Sequence, residues 1–116
     1  MSMEKKPPLE KAVVNKIRDA LKAAGVMWIM KTHGSPYQQA GVPDLLCIAP
    51  CTGRLVGIEV KRPHGTWKVT ELQKKQIELI REAGGVAGVA TSVEEALSLL
   101  EEAQQPAQKE DGYGQV

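Results

Sequence analysis

The stretch Gly41–Arg62, GVPDLLCIAPCTGRLVGIEVKR, decides the reading of the chain. Two apolar runs, Asp44–Ala49 (DLLCIA) and Arg54–Arg62 (RLVGIEVKR), flank the turn-forming Pro50–Gly53 (PCTG). That is the pattern of a β-hairpin. In the second run Glu59 and Lys61 point to one side of the strand, while Ile58 and Val60 point to the other, toward a core. Counted from the turn, Asp44 lies about six residues back and Glu59 about six forward, so the two acids are expected opposite each other in register.

Working outward, Val26–Lys31 (VMWIMK) reads as a preceding strand and His33–Gly41 as a loop. Before them Leu9, Val13, Ile17, Ala20, Leu21 and Ala24 recur at helical spacing, with Lys11, Asn15, Arg18 and Lys22 elsewhere and Gly25 as a stop. After the hairpin a second helix opens at Thr70 and runs to Ala83, carrying Leu72, Gln76, Ile77, Leu79 and Ile80. Val86–Thr91 (VAGVAT) suits a strand covered on both faces. Ser92–Glu95 fits the capping box of a third helix, with Val93, Ala96, Leu97 and Leu100 inward. The order αβββαβα implies an α/β fold: a mixed four-stranded sheet flanked by helices, closed by a right-handed β–α–β crossover. Residues 1–103 are expected to form one domain, with the core at about 9–100, and 104–116 a polar, disordered tail.

Composition bounds the class. With 116 residues there is room for one domain. Aromatics are 3% and Phe is absent, so Leu, Ile, Val and Ala must build the core and aromatic base-stacking platforms are disfavoured. No run is apolar enough to span a bilayer, and Met1–Pro8 lacks the apolar segment of a secretory signal. With two cysteines, an intracellular, cytoplasmic protein is expected. The net charge of +1 is unevenly spread. Glu101, Glu102, Glu110 and Asp111 against Lys109 make the last sixteen residues −3, which leaves +4 on the first hundred, a field that permits a phosphate partner.

The chemistry suggested by the hairpin is that of a hard cation. Asp44 and Glu59 offer oxygen ligands for Mg²⁺ or Mn²⁺, and the Val60 carbonyl offers a third. A cation so held lowers the pKa of bound water and neutralises phosphoryl charge. Lys61 can orient the water or meet developing negative charge. Taken alone, a Glu-Val-Lys triple describes a solvated strand face with a same-side ion pair. The pairing of both motifs through one hairpin favours the functional reading.

Gly41–Leu46 (GVPDLL), Glu59–Arg62 (EVKR), Thr70–Gln73 and Ala83–Gly85 together resemble the VRR-NUC domain, a branch of the PD-(D/E)xK nuclease superfamily. The resemblance spans about residues 9–100. It implies metal-dependent hydrolysis of DNA phosphodiesters, with Asp44, Glu59 and Lys61 catalytic. Stand-alone members resemble Holliday-junction resolvases and act as homodimers, so the resemblance also implies branched DNA as partner and a second copy of the chain. A small chain embracing a four-way junction needs two sites, which argues the same way. The family's helix 1 acid matches Glu10, which would join the metal site; a first-turn Glu also complements the helix dipole. The family's helix 2 Gln matches Gln73. Yet Thr70-Glu71-Leu72-Gln73 is also a capping box, and the two uses are expected to compete.

Other residues carry less. Ser35 and Tyr37, with His33 and Gln38, lie in the loop before the GVPD block, where polar groups could hold a phosphate or a base. Arg62, Lys68, Lys74 and Lys75, with Lys61, form a basic group with Glu71 as its only acid, suited to phosphate contacts. His64 could reach substrate, and Trp67 could serve as a core cover, a dimer contact or a DNA wedge. Cys47 and Cys51 lack the further ligands that zinc needs, and Cys47 reads as a small buried residue. Two rivals to the DNA nuclease remain at this stage: a catalytically silent DNA-binding or scaffolding module of the same fold, and an RNA nuclease.

Overall fold

The computed structural model describes residues 10–32, 40–64 and 67–107. Its elements are α1 (Glu10–Ala23), β1 (Ile29–Lys31), β2 (Leu45–Ile48), β3 (Leu55–Val60), α2 (Glu71–Glu82), β4 (Val86–Ala90) and α3 (Val93–Ala103). The order αβββαβα is the one expected. The strands lie side by side as β1-β2-β3-β4, with β1–β2 and β2–β3 antiparallel and β3–β4 parallel.

Two glycines reveal the layers. A Cβ on Gly57 would meet Ile80 of α2, and one on Gly88 would meet Leu99 of α3. Gly57 pairs with Ala87, one residue before Gly88, so the two glycines sit on opposite pleats. Hence α2 covers one face of the sheet and α3 the other. α3 packs against α1, and between them and the sheet lies the core of Val13, Val14, Ile17, Leu21, Leu45, Cys47, Val56, Ile58, Val60, Ala96 and Leu100. On the α2 face cover is thinner. No residue of α2 is fully buried, and Leu72 and Leu79 are exposed.

Several boundaries differ from the sequence reading. β1 is three residues rather than six. Its ladder covers only Leu45–Cys47, and Met27 points outward, 94% exposed. Val26 is still buried, tied by its N–H to the Leu21 carbonyl at 3.0 Å. In α1 the inward stripe includes Val14, while Ala24 is exposed beyond the helix end. β3 stops at Val60, so Lys61 and Arg62 follow the strand rather than end it. The third helix is capped by Ser92, whose Oγ accepts from the Glu95 N–H at 3.1 Å. The return bond of the expected box goes one residue further back: Glu95 Oε1 accepts from the Thr91 N–H at 2.6 Å.

Just past α3, which ends at Ala103, the first residues of the expected tail still bond to the fold. Gln104 Oε1 accepts from the Cys51 N–H at 2.8 Å, and the Gln105 carbonyl accepts from Arg54 Nη1 at 2.9 Å. Arg54 donates as well to the Gly84 carbonyl at 2.8 Å. Arg81 binds the Ala87 carbonyl through Nε at 2.8 Å and Glu102 through both terminal nitrogens, at 2.7 and 3.2 Å. The two arginines thus pin the end of α3 to the hairpin turn and the start of β4. Residues 108–116 of the expected tail lie outside the described residues.

Gly41 fixes the approach to β2. Its φ is +86°, and a Cβ there would come within 2.6 Å of the Leu72 carbonyl oxygen on α2. Both a left-handed backbone and a backbone collision oppose any side chain. Gly41→Ala should therefore lower stability by about 3 kcal/mol, measured by chemical denaturation; an unchanged midpoint would refute the close approach.

Candidate active site

The hairpin brings its two acids together for a backbone reason. The β2–β3 ladder ends at the pair Leu45↔Ile58, leaving Asp44 and Glu59 as the next positions. Asp44 extends the ladder with its side chain: Oδ2 accepts from the Val60 N–H at 2.8 Å. On a strand the N–H and C=O of one residue leave on the same side, so the Val60 carbonyl also faces Asp44. Thr32, which the sequence reading left unassigned, braces this corner. Its Oγ1 donates to the Pro43 carbonyl at 2.7 Å and its N–H to the Asp44 carbonyl at 2.9 Å. Its only sequence signal is its place at the end of an apolar run.

Glu59 is not on a solvated face. It is 3% exposed, on the pleat shared with Gly57 and therefore under α2. Lys61 Nζ lies 3.5 Å from Glu59 Oε2. Gln73 Nε2 donates to the same oxygen at 2.8 Å. The expected competition between capping and site is corrected here. Gln73 Oε1 accepts from the Thr70 N–H at 2.9 Å, and Thr70 Oγ1 accepts from the Gln73 N–H at 3.1 Å. The amide's oxygen serves the cap and its NH₂ serves Glu59, so one side chain does both. Gln73→Glu separates the roles. The cap survives, because Glu also closes such a box, but a carboxylate then faces Glu59. Expected are a lower melting temperature without metal and cleavage reduced about tenfold or more; wild-type values in both would show the Gln73–Glu59 bond to be idle.

Glu10 opens α1 and joins the group from a third element. One carboxylate oxygen from each of Glu10, Asp44 and Glu59 lies within 4.8 Å of the others. Burial, then the Asp44 charge, push the Glu59 carboxyl up from about 4.5 to about 7; Glu10 adds to the rise and Lys61 opposes it. Acids this close resist joint ionisation unless a cation lies among them. Oxygen-only donors suit a hard divalent ion, so the residues fit Mg²⁺ or Mn²⁺.

Arg62 is half-buried just beyond Lys61, and Lys68, Lys75 and His64 are exposed. Lys74 is partly engaged, with Nζ 3.3 Å from Glu71 Oε2. Trp67 is exposed on the linker to α2. Ser35, Tyr37, His33 and Gln38 lie outside the described residues. Cys47 is buried on β2, where burial pushes its thiol up to about 11, whereas Cys51 is exposed in the turn. Neither belongs to the acidic group.

Comparison with known proteins gives one family and one fold. The family model described as the VRR-NUC domain matches residues 4–94. No curated protein matches. A solved structure described as a "VRR_NUC domain protein" superposes with a TM-score of 0.62 at 23% identity, covering 85% of this chain and 90% of that one. At that identity the likeness speaks for the fold. The family match, covering most of the chain, speaks for descent: the chain belongs to the VRR-NUC domain family, nucleases of the PD-(D/E)xK type.

Proposed function

We propose that the chain is a divalent-metal-dependent endodeoxyribonuclease that acts inside the cell on branched DNA, Holliday junctions included, as a homodimer. The observation that carries this reading is the convergence of three carboxylates within 4.8 Å, with the Lys61 ammonium against one of them. Asp44, Glu59, Glu10 and the Val60 carbonyl would hold Mg²⁺ or Mn²⁺. When bound, such an ion supplies charge neutralisation at the phosphoryl oxygens and a more acidic water.

The chain's own residues do the rest. Glu59, held by Gln73, keeps its oxygens aimed into the corner under α2. Asp44, anchored on the Val60 N–H, keeps its second oxygen available. Lys61 orients the attacking water in line with the scissile bond and meets negative charge gathering on the phosphoryl group. Water oxygen bonds to phosphorus, the bridging P–O bond breaks, and the products are one phosphate monoester and one hydroxyl. Arg62, Lys68, Lys74 and Lys75 contact phosphates on the α2 side and confer affinity without reading sequence.

The test is a panel of linear, nicked, flapped and four-way DNA, with Mg²⁺, Mn²⁺ or EDTA, run beside RNA of the same sequences. Cleavage of branched DNA that EDTA abolishes supports the reading. Binding without cleavage would assign a silent scaffolding module, and preferential RNA cleavage an RNA nuclease. A monomer by light scattering would remove the symmetric junction-resolving version. Among the described residues no helix is long and apolar enough to cross a membrane.

A further inference from the structure

α1 carries a charged feature that the cleavage chemistry does not use. Lys11, Asn15, Arg18 and Lys22 follow one another at intervals of four, three and four residues, which sets them in one row along a helix. The row flanks the buried stripe of Val13, Val14, Ile17 and Leu21. Lys11 and Lys22 are exposed. Lys31 of β1 joins from the side, its Nζ donating to Asn15 Oδ1 at 3.0 Å. The row therefore gathers four cations.

Among the described residues Lys11, Lys22 and Lys31 form no ion pair. Arg18 pairs with Asp19 at 3.6 Å; its side chain is 33% exposed, and its Nε is buried without a hydrogen-bond partner among the described residues. The row also has a direction. It starts at Lys11, next to Glu10, and Lys31 pairs across the ladder with Leu45, next to Asp44. From there it runs away from the acids for eleven residues, about 16 Å at the helical rise. At roughly 3.4 Å of axis per phosphate on each strand, a row of this length spans about five base-pair steps of a duplex.

We propose that this row is a docking surface for the phosphate backbone of a DNA duplex, holding the arm that leaves the scissile bond on the α1 side. The inference rests on DNA being the substrate. Arg62, Lys68, Lys74 and Lys75 belong to the segment after β3 and to α2, so they would take the arm on the other side. A cut site with a basic rim on each flank grips two arms at once.

The test pairs wild type with Lys11→Ala/Lys22→Ala, two exposed side chains with no role in the acidic group. Affinity for a 30-base-pair duplex is measured by fluorescence anisotropy in EDTA, from 50 to 200 mM salt. The double variant should lower the slope of log K against log[salt] by about 2 and weaken binding roughly tenfold, with its melting temperature unchanged. Wild-type binding with an identical slope in the variant overturns the proposal. So does a variant that keeps its DNA affinity but loses binding to phosphatidylserine vesicles, which would assign the row to a membrane surface. Cleavage in Mg²⁺ by the same preparations separates the two readings. A slope that depends on the row without any cleavage keeps the surface and removes the nuclease; cleavage without that dependence does the reverse.

Discussion

Asp44→Ala should lower metal-dependent cleavage by about a thousandfold or more, and Lys61→Ala by about a hundred- to ten-thousandfold. The two losses have different origins. Asp44 contributes an oxygen to the three-acid group and also closes the β2–β3 ladder through the Val60 N–H, so its removal loosens the corner as well as the cation site. Asp44→Asn separates these effects, because its amide oxygen can still accept from Val60 while the charge is gone. Asn should restore stability without restoring cleavage. Lys61 is held against Glu59 at 3.5 Å with its side chain only 13% exposed. Its loss removes the cation that opposes the high Glu59 pKa and, in the proposed mechanism, the donor to the phosphoryl group, but none of the proposed metal ligands. Metal affinity measured by calorimetry should therefore fall steeply in Asp44→Ala and far less in Lys61→Ala. Cleavage that survives both substitutions at wild-type rates would remove this active-site assignment.

The second large effect concerns stability without metal. Glu59 takes up its proton near pH 7 in the folded chain and near 4.5 when free. Below pH 4.5 it is protonated in both states and costs nothing. Between 4.5 and 7 the unfolded chain gives up this proton while the folded chain keeps it, so stability falls as pH rises. Above 7 the loss is complete, about 3 kcal/mol at 1.36 kcal/mol per unit. Glu59→Gln has no such group, so the difference between wild type and this variant isolates the contribution. In EDTA the wild type should lose stability relative to Glu59→Gln as pH is raised from 4.5 to 8. Saturating Mg²⁺ or Mn²⁺ should cancel that loss at pH 8, adding about 3 kcal/mol at a hundredfold excess over Kd. At pH 4.5, where protons occupy the acids, the same metal should add little. Parallel pH profiles for the two proteins, or a melting temperature indifferent to metal at pH 8, would contradict a cation site at these acids.

Much of this corner was legible from residue spacing. The turn at Pro50–Gly53 sets the hairpin register, and the register alone brings Asp44 opposite Glu59. The helix periods of α1 and α2 were equally plain, because Val13, Ile17 and Leu21 recur at fixed intervals. What spacing could not convey was cover. A Glu between Ile58 and Val60 looks like an outward-facing residue until α2 is known to lie over that pleat. Gln73 shows the limit more sharply. Its capping pattern and its family match seemed to be rivals, since one-dimensional motifs do not say that an amide's two ends can serve two masters. Thr32 had no pattern to reveal it; its importance comes from the carbonyls that happen to reach it. The row on α1 was visible as the polar half of an amphipathic helix, but its meaning depended on Glu10 reaching the acids and Lys31 reaching Asn15.

The two cysteines offer a practical handle. Cys47 is buried and its thiol protonated well above neutral pH, so it is inert to alkylation, whereas Cys51 stands exposed in the turn. That turn is the end of the hairpin remote from Asp44, about 20 Å away by strand rise. Maleimide dyes should therefore label native protein at a single position. Energy transfer from that beacon to a dye on the DNA could time substrate arrival and product departure in real time, without engineering a new attachment point or crowding the chemistry.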